Sequence, residues 1–415
     1  MKHIDMDVVV IGGGAAGLGA AVRAKEAGAR KVGIIERAEQ LGGVLTQCIH
    51  NGFGLAYFGQ DMSGPEYIHR FITRVNELDI ETFMESMVLS ITPDRVVTAV
   101  SRNTGLFSVK AGAIVLSMGC RERTRGNLVI PGTRPAGVLT AGTAQRLVNI
   151  EGYIPGRRTV IIGSGDIGMI MARRLYLEGG RVEGVVEIMP YCSGLIRNEN
   201  QCLIDFGIPL YLSHATVRIH GNDRVEGVTI TPIDSEMNII PGIEKYIPCD
   251  TVLLAVGLIP ENEISKSAGI VLDGVTKGPV VNEKMETGVP GIFAAGNVVQ
   301  VYDLVDYVTM AGEAAAESAV DFSQGKRFEN KYRITAGNNV TAIGPQWTTG
   351  ESDFQIRMRV RRPIKKAEIR INGQKLKRVL GTRPSEMMSV DVKQEQLESI
   401  LNKDKELQVE VLDVS

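Results

Sequence analysis

Cysteine and aromatic residues are scarce in this sequence. Its 415 residues include five cysteines and one tryptophan, and aromatic side chains account for 5% of the total. The cysteine count is odd, and no two cysteines lie within four positions of each other. This spacing argues against a secreted disulfide framework, a zinc ribbon and an iron–sulfur motif. We therefore expect reduced thiols, a cytoplasmic location and no metal site.

An excess of charge of either sign is also lacking. The 46 basic and 48 acidic side chains give a net charge of −2. The overall charge therefore gives no reason to expect binding to a nucleic acid or a membrane surface. The uncharged stretch Val8–Val22 near the start is too short to span a bilayer. We expect no nucleic-acid partner and no integral membrane segment.

What the sequence does contain is one glycine pattern that occurs twice. The first copy runs from the strand Asp7–Ile11 through Gly12-x-Gly14-x-x-Gly17 into a helix, and the second runs from Thr159–Ile162 through Gly163-x-Gly165-x-x-Gly168 into another. In each copy a further strand follows and ends in an acid, Glu36 or Glu187, 19 positions after the third glycine. The repeat predicts two copies of one nucleotide-binding architecture.

Each part of this pattern has a physical purpose in binding a dinucleotide. The first glycine permits the tight turn out of the strand, the second lets the backbone approach a pyrophosphate, and the third lets the helix pack closely. The helix N-terminus directs N–H groups at the phosphates, and the acid accepts hydrogen bonds from a ribose. Glu187 favours the free 2′-hydroxyl of NAD over NADP, although Arg197 lies near enough in sequence to reach a 2′-phosphate.

Three further segments carry a resemblance to a known family. Gly42-Gly43 follows Glu36-Arg37, Ser117-Met118-Gly119 ends an apolar strand, and Thr287–Asn297 reads Thr-Gly-Val-Pro-Gly-Ile-Phe-Ala-Ala-Gly-Asn. Over residues 5 to 325 the chain resembles the FAD-dependent pyridine nucleotide-disulfide oxidoreductase superfamily. The resemblance implies an α/β fold with two Rossmann-type three-layer domains, one for FAD and one for NAD(H).

The resemblance also implies the binding residues. For FAD these are Gly12, Gly14, Ala16, Gly17, Glu36, Arg37, Gly42, Gly43, Val44, Val88, Ser117, Gly119, Gly296 and Asn297. For NAD(H) they are Gly163, Ser164, Gly165, Asp166, Gly168 and Glu187.

The sequence departs from the family at its redox centre. Leu45 and His50 stand where disulfide reductases have a cysteine pair, and Ile170 replaces a glutamate after the second glycine pattern. The segments Gln47–Gly54, Cys120–Arg125 and Gly142–Gln145 resemble a subgroup without the disulfide. That subgroup comprises flavoproteins associated with glycerol-3-phosphate dehydrogenases and the α-type subunits of opine oxidase, dye-linked proline dehydrogenase and hydrogen cyanide synthase. It implies a partner flavoprotein dehydrogenase subunit and a small electron-carrier subunit.

Several alternatives stay open at this point. Cys48 could cycle through a sulfenic acid in a stand-alone NADH oxidase or peroxidase, or it could be a packing residue. His50 could relay protons or simply line the pocket. Because Ile170 replaces the glutamate, the second site could instead hold a regulatory nucleotide such as ATP in a structural subunit.

The domain layout follows from these motifs. Residues 1–150 and 263–330 form the two parts of the FAD domain, residues 151–262 form the NAD(H) domain, and residues 331–415 form a small, mainly β domain. In this last part apolar and polar residues alternate over Phe354–Arg361, and Asn372-Gly373 predicts a hairpin turn. The arginines Arg357, Arg359 and Arg361 are expected on a solvated strand face, with a docking surface for an acidic partner as the alternative.

Overall fold

The computed structural model describes residues 2–401 and 405–414. The chain forms two compact units, residues 1–120 with 260–415, and residues 121–259. The chain leaves the first unit and returns to it at adjacent points, because the Glu261 N–H donates to the Gly119 carbonyl at 3.0 Å. The second unit is therefore an insertion in the first.

The first segment of the first unit contains eight strands and two helices. They are β1 (Lys2–Ile11), α1 (Ala15–Glu26), β2 (Val32–Ile35), β3 (Asn51–Phe53), β4 (Met62–Ser63), α2 (Gly64–Glu77), β5 (Glu81–Phe83), β6 (Ser86–Ile91), β7 (Val96–Ser101) and β8 (Gly105–Leu116), with a 3₁₀ turn at Gly43–Gln47. The apolar end of β1, Val8–Ile11, is buried throughout, as expected for a central parallel strand covered on both faces.

The second unit supplies the next elements in chain order. They are β9 (Cys120–Glu122), α3 (Arg125–Leu128), β10 (Val138–Thr140), α4 (Ala141–Asn149), β11 (Arg158–Ile162), α5 (Asp166–Leu177), β12 (Arg181–Val186), α6 (Ile196–Glu199), β13 (Leu210–Tyr211), β14 (His214–His220), β15 (Gly227–Pro232), β16 (Lys245–Pro248), β17 (Thr251–Leu254) and β18 (Leu258–Pro260), with a π turn at Asn200–Ile204.

A five-stranded parallel sheet in the order β10-β17-β11-β12-β13 forms the centre of the second unit. Because β10 pairs with β17, residues 121–150 belong to this unit, and its boundary lies after Cys120 rather than after residue 150. The strands β14, β15 and β16 form a separate antiparallel sheet.

The chain then returns to the first unit and ends in a β-rich region. The elements are α7 (Glu263–Ser267), β19 (Ile292–Ala294), α8 (Val305–Ser323), β20 (Tyr332–Ala336), β21 (Val340–Gly344), β22 (Trp347–Thr348), β23 (Phe354–Val360), β24 (Ile364–Ile371), β25 (Gln374–Thr382), β26 (Met388–Val392), α9 (Leu397–Ile400) and β27 (Glu406–Asp413), with 3₁₀ turns at Gly296–Val298 and Gln394–Gln396.

The main sheet of the first unit has the order β5-β2-β1-β8-β7-β6, and β19 also pairs with β8. The strands β5, β2, β1, β8 and β19 run parallel, whereas β7 and β6 join antiparallel. Thus β8 pairs with β7 along its first half and with β19 at its end. The sheet is complete only when the chain on both sides of the insertion contributes.

The residues after 331 form two sheets around their own core. One has the order β22-β20-β27-β24-β25 and the other has the order β21-β23-β26. The inward residues include Ile356, Ile369 and Val409, all fully buried. The predicted hairpin joins β24 to β25, with φ of 49° at Asn372 and 81° at Gly373, the left-handed values of a tight two-residue turn.

The expectation of a solvated arginine stripe on β23 is wrong for two of its three members. The Arg359 guanidinium donates to the Val301 carbonyl at 3.1 Å and pairs with the Asp303 carboxylate. Arg357 lies over the ring of Tyr302, 5.6 Å from its centroid. Only Arg361 is exposed. These side chains face the segment that precedes α8, which the alternation in β23 could not reveal.

Across residues 2–401 and 405–414, none of the helices combines the length and the apolar character needed to cross a bilayer.

Candidate functional site

Packing explains two of the three glycines after β1. Gly12 has a φ of +104°, and a Cβ atom there would lie 2.6 Å from the Ser117 carbonyl oxygen. A Cβ atom on Gly17 would lie 1.8 Å from the Gly12 carbonyl oxygen. Both distances are far inside van der Waals contact, so the turn and the approach of α1 require glycine at these positions.

Packing does not explain the middle glycine. Gly14, the N-cap of α1, has a φ of −84°, which any residue adopts. In the part of the chain that the structure describes, no atom lies within 4 Å of a Cβ added there. The open space lies at the N-terminus of α1, where unpaired N–H groups attract phosphate. This is the place predicted for the FAD pyrophosphate, and the open space beside Gly14 leaves room for such a group.

Other predicted FAD residues surround the same turn. The Glu36 carboxylate is 9% exposed and accepts the N–H groups of Gly13 at 2.6 Å and Ala38 at 2.8 Å. The Gly42 N–H donates to the Gly13 carbonyl at 2.8 Å, and a Cβ on Gly43 would lie 3.1 Å from the Gly14 Cα. The acid and the paired glycines therefore line one turn, as the sequence predicts.

The remaining predicted FAD residues lie at the strand ends or outside the turn. The Ser117 hydroxyl donates to the carbonyls of Ile11 and Gly12 at 2.9 and 3.0 Å and joins the ends of β8 and β1. Gly119 adopts a φ of +71° with open space beside it. Of the others, Arg37 and Val44 are exposed, the Val88 side chain is buried in the core of the first unit, and Ala16 packs beneath Gly296.

Asn297 directs its two polar atoms differently. Its Oδ1 atom accepts the Tyr302 N–H at 3.0 Å. Among the described residues, the Nδ2 atom has no hydrogen-bond partner, so its two donors are available to a ligand hydroxyl. A carboxylate at this position could only accept hydrogen bonds, whereas the asparagine amide also offers donors.

The second unit reproduces the glycine arrangement. A Cβ on Gly163 would lie 2.3 Å from the Ala255 carbonyl oxygen, and one on Gly168 would lie 2.7 Å from the Gly163 carbonyl oxygen. On Gly165 the nearest atom would be the Ala255 carbonyl oxygen at 3.5 Å, an ordinary contact. In both units packing requires the outer glycines, whereas a side chain on the middle glycine would meet no clash.

Glu187 is fixed more firmly than Glu36. Its Oε2 atom accepts the Ser164 N–H at 2.9 Å, the Ser164 hydroxyl at 2.6 Å and the Ser193 hydroxyl at 2.8 Å. Its Oε1 atom accepts the Met189 N–H at 2.9 Å, and the residue is 4% exposed. Ser193 is a site residue that sequence reasoning missed, because no pattern links it to the acid six positions earlier.

Asp166 places a negative charge in the first turn of α5, beside the predicted phosphate position. Its Oδ1 atom accepts the Leu195 N–H at 2.9 Å and the Asn198 amide at 2.6 Å. The carboxylate thus complements the helix dipole and holds the loop after β12. Its contacts within the described chain give it a structural role.

The predicted catalytic residues lie on one loop. Cys48 is buried, and its thiol donates to the Val44 carbonyl at 3.3 Å. His50 is half-buried; its Nδ1 atom lies 2.9 Å from the Asn51 carbonyl, and its ring centroid lies 5.0 Å from that of Phe53. The contact with Val44 is that of a packed thiol, and the redox role of Cys48 stays a prediction.

A buried acid on α8 holds the far side of this loop. Asp306 is 2% exposed, and its carboxylate accepts the Gly54 N–H at 3.2 Å and the Tyr57 N–H at 2.8 Å. Sequence reasoning missed Asp306, because the contact joins segments about 250 residues apart in the chain. It acts as a positioning residue for the segment that contains Cys48 and His50.

Three of the other four cysteines are buried packing residues. Cys192, Cys202 and Cys249 are buried, and none of the five cysteines is in a disulfide. Burial raises the pKa of the Cys202 thiol to about 11 and that of Cys249 to about 12. These thiols stay protonated near neutral pH and are poor nucleophiles.

Two units, each with a glycine turn at a helix N-terminus and a buried acid after the next strand, have the arrangement of Rossmann-type dinucleotide-binding folds. The model for pyridine nucleotide-disulphide oxidoreductases matches residues 6–315, and the chain belongs to this family. Members related to it are FAD- and NAD(P)H-dependent flavoenzymes. The predicted fold class is confirmed.

Individual relatives are distant. The chain is 28% identical to the NAD(P)H sulfur oxidoreductase (CoA-dependent) of Pyrococcus abyssi over 308 residues, 72% of this chain and 64% of the relative. It is 28% identical to an opine oxidase subunit of Agrobacterium tumefaciens over 329 residues, 75% of this chain and 63% of the relative. In both comparisons the matched region spans less than two thirds of the relative.

A solved structure agrees with the fold. The thioredoxin reductase of T. acidophilum superposes with a TM-score of 0.63 at 26% identity, covering 77% of this chain and 99% of that one.

Proposed function

We propose that this chain is an FAD-dependent oxidoreductase subunit that transfers hydride or electrons between NAD(H) and a bound flavin. The observation that carries the proposal is the pair of middle glycines. Gly14 and Gly165 are not needed by packing, whereas their neighbours are. A glycine with no packing reason at the N-terminus of a Rossmann helix is accounted for by the ligand that its missing side chain admits.

The chain's own residues would hold FAD in the first unit. The N-terminus of α1 and Gly14 would receive the pyrophosphate, Glu36 would accept hydrogen bonds from the adenosine ribose, and Asn297 would donate to the ribityl chain. When FAD is bound, its N5 atom is the position that accepts a hydride. Asp306 would fix the loop of Cys48 and His50 beside it.

The second unit would hold NAD(H) in preference to NADP. The buried Glu187 carboxylate accepts four hydrogen bonds from its own unit, so its negative charge is fixed at the end of β12. A 2′-phosphate brought to this position would meet an unfavourable like charge. Ser164 and Ser193 prevent the carboxylate from turning away.

The complex that we propose is a heteromeric dehydrogenase of the glycerol-3-phosphate, opine or amino-acid type. A partner flavoprotein would oxidise the organic substrate, and a small carrier subunit would pass electrons. The likeness to the opine oxidase protein, whose name describes one subunit of an enzyme, supports this. A cytoplasmic location is proposed with it, in keeping with five cysteines of which none forms a disulfide.

The test is the anaerobic addition of NADH to the purified flavoprotein while its visible flavin absorbance is followed. Rapid bleaching by NADH, with slower bleaching by NADPH, is the expected result. A flavin that is bound but stays oxidised contradicts the proposal. If ATP then stabilises the fold while NADH does not, the second site is regulatory.

A further inference from the structure

Basic residues are concentrated in one stretch of the C-terminal region. Between Arg357 and Arg383 the sequence contains eleven lysines and arginines and a single acid, Glu368. The whole chain has a net charge of −2, so this stretch is strongly basic in a chain that is slightly acidic. Two of its arginines, Arg357 and Arg359, face the segment before α8. The rest belong to the hairpin of β24 and β25 and to the residues beside it.

Glu368 gathers part of this charge but does not balance it. Its carboxylate, almost fully buried, pairs with Arg370 at 2.9 Å, Arg378 at 2.9 Å and Lys375 at 3.2 Å. One negative charge thus faces three positive charges. In the described part of the chain, Arg361, Arg362, Lys365, Lys366 and Arg383 have no ion pair at all. The hairpin therefore presents uncompensated positive charge to the solvent.

The hairpin also presents an unpaired strand edge. β25 is nine residues long and, among the described strands, pairs only with β24. A groove of about 530 Å³ between β25 and β26 is lined by Lys377, Arg383 and Met387 among others. Leu380, 86% exposed, stands opposite Lys366 on the outer face. A long edge of free N–H and C=O groups is a template for an added strand.

Lysines on an edge strand can simply prevent unwanted pairing. Protection would be served by charge along the whole strand, whereas the exposed Leu380 gives this edge an apolar contact beside its basic side chains. A second copy of this chain is also a poor occupant, because edge-to-edge pairing would set the lysines and arginines of two hairpins against each other. A nucleic acid or a lipid surface would use the charge but not the main-chain edge.

We propose that β25 is the docking edge for an extended acidic segment of a partner protein. The segment adds as a strand beside β25, its carboxylates face the basic side chains, and an apolar residue covers Leu380. This proposal is independent of flavin reduction, because none of the hairpin residues belongs to either dinucleotide site. Either proposal can fail while the other stands.

The test uses the intact protein and a fluorescent peptide of alternating glutamate and valine at low salt. A peptide of the same composition with its glutamates in one block is the control probe. Binding of the alternating peptide, with slowed hydrogen exchange of the amides in residues 374–382, is expected. The double variant K366E/L380E should weaken binding at least about tenfold, whereas the matched surface variant K266E/V271E should not.

Three outcomes would overturn the proposal. One is equal binding of both peptides. Another is equal or tighter binding of duplex DNA or anionic phosphatidylserine vesicles, with the same loss in K366E/L380E, which would make the hairpin a general anion surface. The third is concentration-dependent self-association that L380E abolishes. Because Leu380 is almost fully exposed, the single variant L380E keeps the test valid if the double variant folds poorly.

Discussion

Replacing Gly14 with alanine should separate ligand binding from folding. The added methyl group meets no described atom within 4 Å, and the φ of −84° suits alanine. The lower entropy of the unfolded chain stabilises by about 0.4–1 kcal/mol, and the weaker N-cap costs a similar amount. The free energy of unfolding of the apoprotein should therefore change by less than about 1 kcal/mol.

The affinity for FAD should respond differently. The methyl group occupies the space proposed for the pyrophosphate, and overfilling a packed space costs about 1–3 kcal/mol, or roughly 5- to 150-fold in Kd. Apoprotein titrated with FAD, followed by flavin fluorescence, measures the Kd, and denaturant unfolding of the same apoprotein measures stability.

Gly165→Ala is the matched variant in the second unit. This variant should still bind FAD, but its affinity for NADH, measured in the anaerobic bleaching assay, should fall by a similar factor. Gly17→Ala is the opposite control, because its methyl group would lie 1.8 Å from the Gly12 carbonyl oxygen and should disrupt the fold. Wild-type affinity for FAD in G14A would refute the reasoning that the middle glycine serves a ligand.

Three further changes test single contacts. Asp306→Ala should lower the free energy of unfolding by roughly 1–3 kcal/mol, because the buried N–H of Gly54 and the half-buried N–H of Tyr57 lose their acceptor. Asp273→Ala, at a more exposed turn, should cost less, and equal losses would contradict the role of burial. The pKa of Glu368 is lowered to about 2, mainly by Arg370 and then Arg378. The wild type should therefore be more stable than E368Q above about pH 4.5, and the difference should vanish as the pH falls toward 2. A difference in melting temperature that does not change with pH would argue against this charge contribution. Cys48→Ser should leave the rate of flavin bleaching by NADH within about twofold of the wild-type rate, since a hydroxyl can replace the thiol as a donor to the Val44 carbonyl. Loss of an NADH oxidase activity in C48S would instead favour the stand-alone enzyme.

The nucleotide-binding turns could be predicted because they are local. Strand, glycines, helix and acid lie within 30 residues in each copy, from Asp7 to Glu36 and from Thr159 to Glu187. Backbone conformation and close packing decide these positions, and both leave their mark on residue type. The structure brings the predicted glycines and acids together in each unit.

The supporting contacts could not be predicted, because they depend on which segments meet. Asp306 looks like an ordinary acid near the start of a helix until the loop after Cys48 is folded against it. The arginines of β23 alternate as a solvated face would, yet the neighbouring segment before α8 covers two of them. The alternation of residues along a strand shows which side chains share a face, but it does not show which segment covers that face.

The insertion of the second unit fixes an order of assembly on the ribosome. All residues of the second unit are synthesised before β19, whereas the main sheet of the first unit needs β19 beside β8. The helix α1 likewise waits for α8, where Gly312 lies so close to Ala16 that a Cβ would come within 2.1 Å of its carbonyl oxygen. The inner unit can therefore fold while the N-terminal strands remain uncovered, so nascent chains stalled between residues 260 and 291 should expose the apolar end of β8 to chaperones.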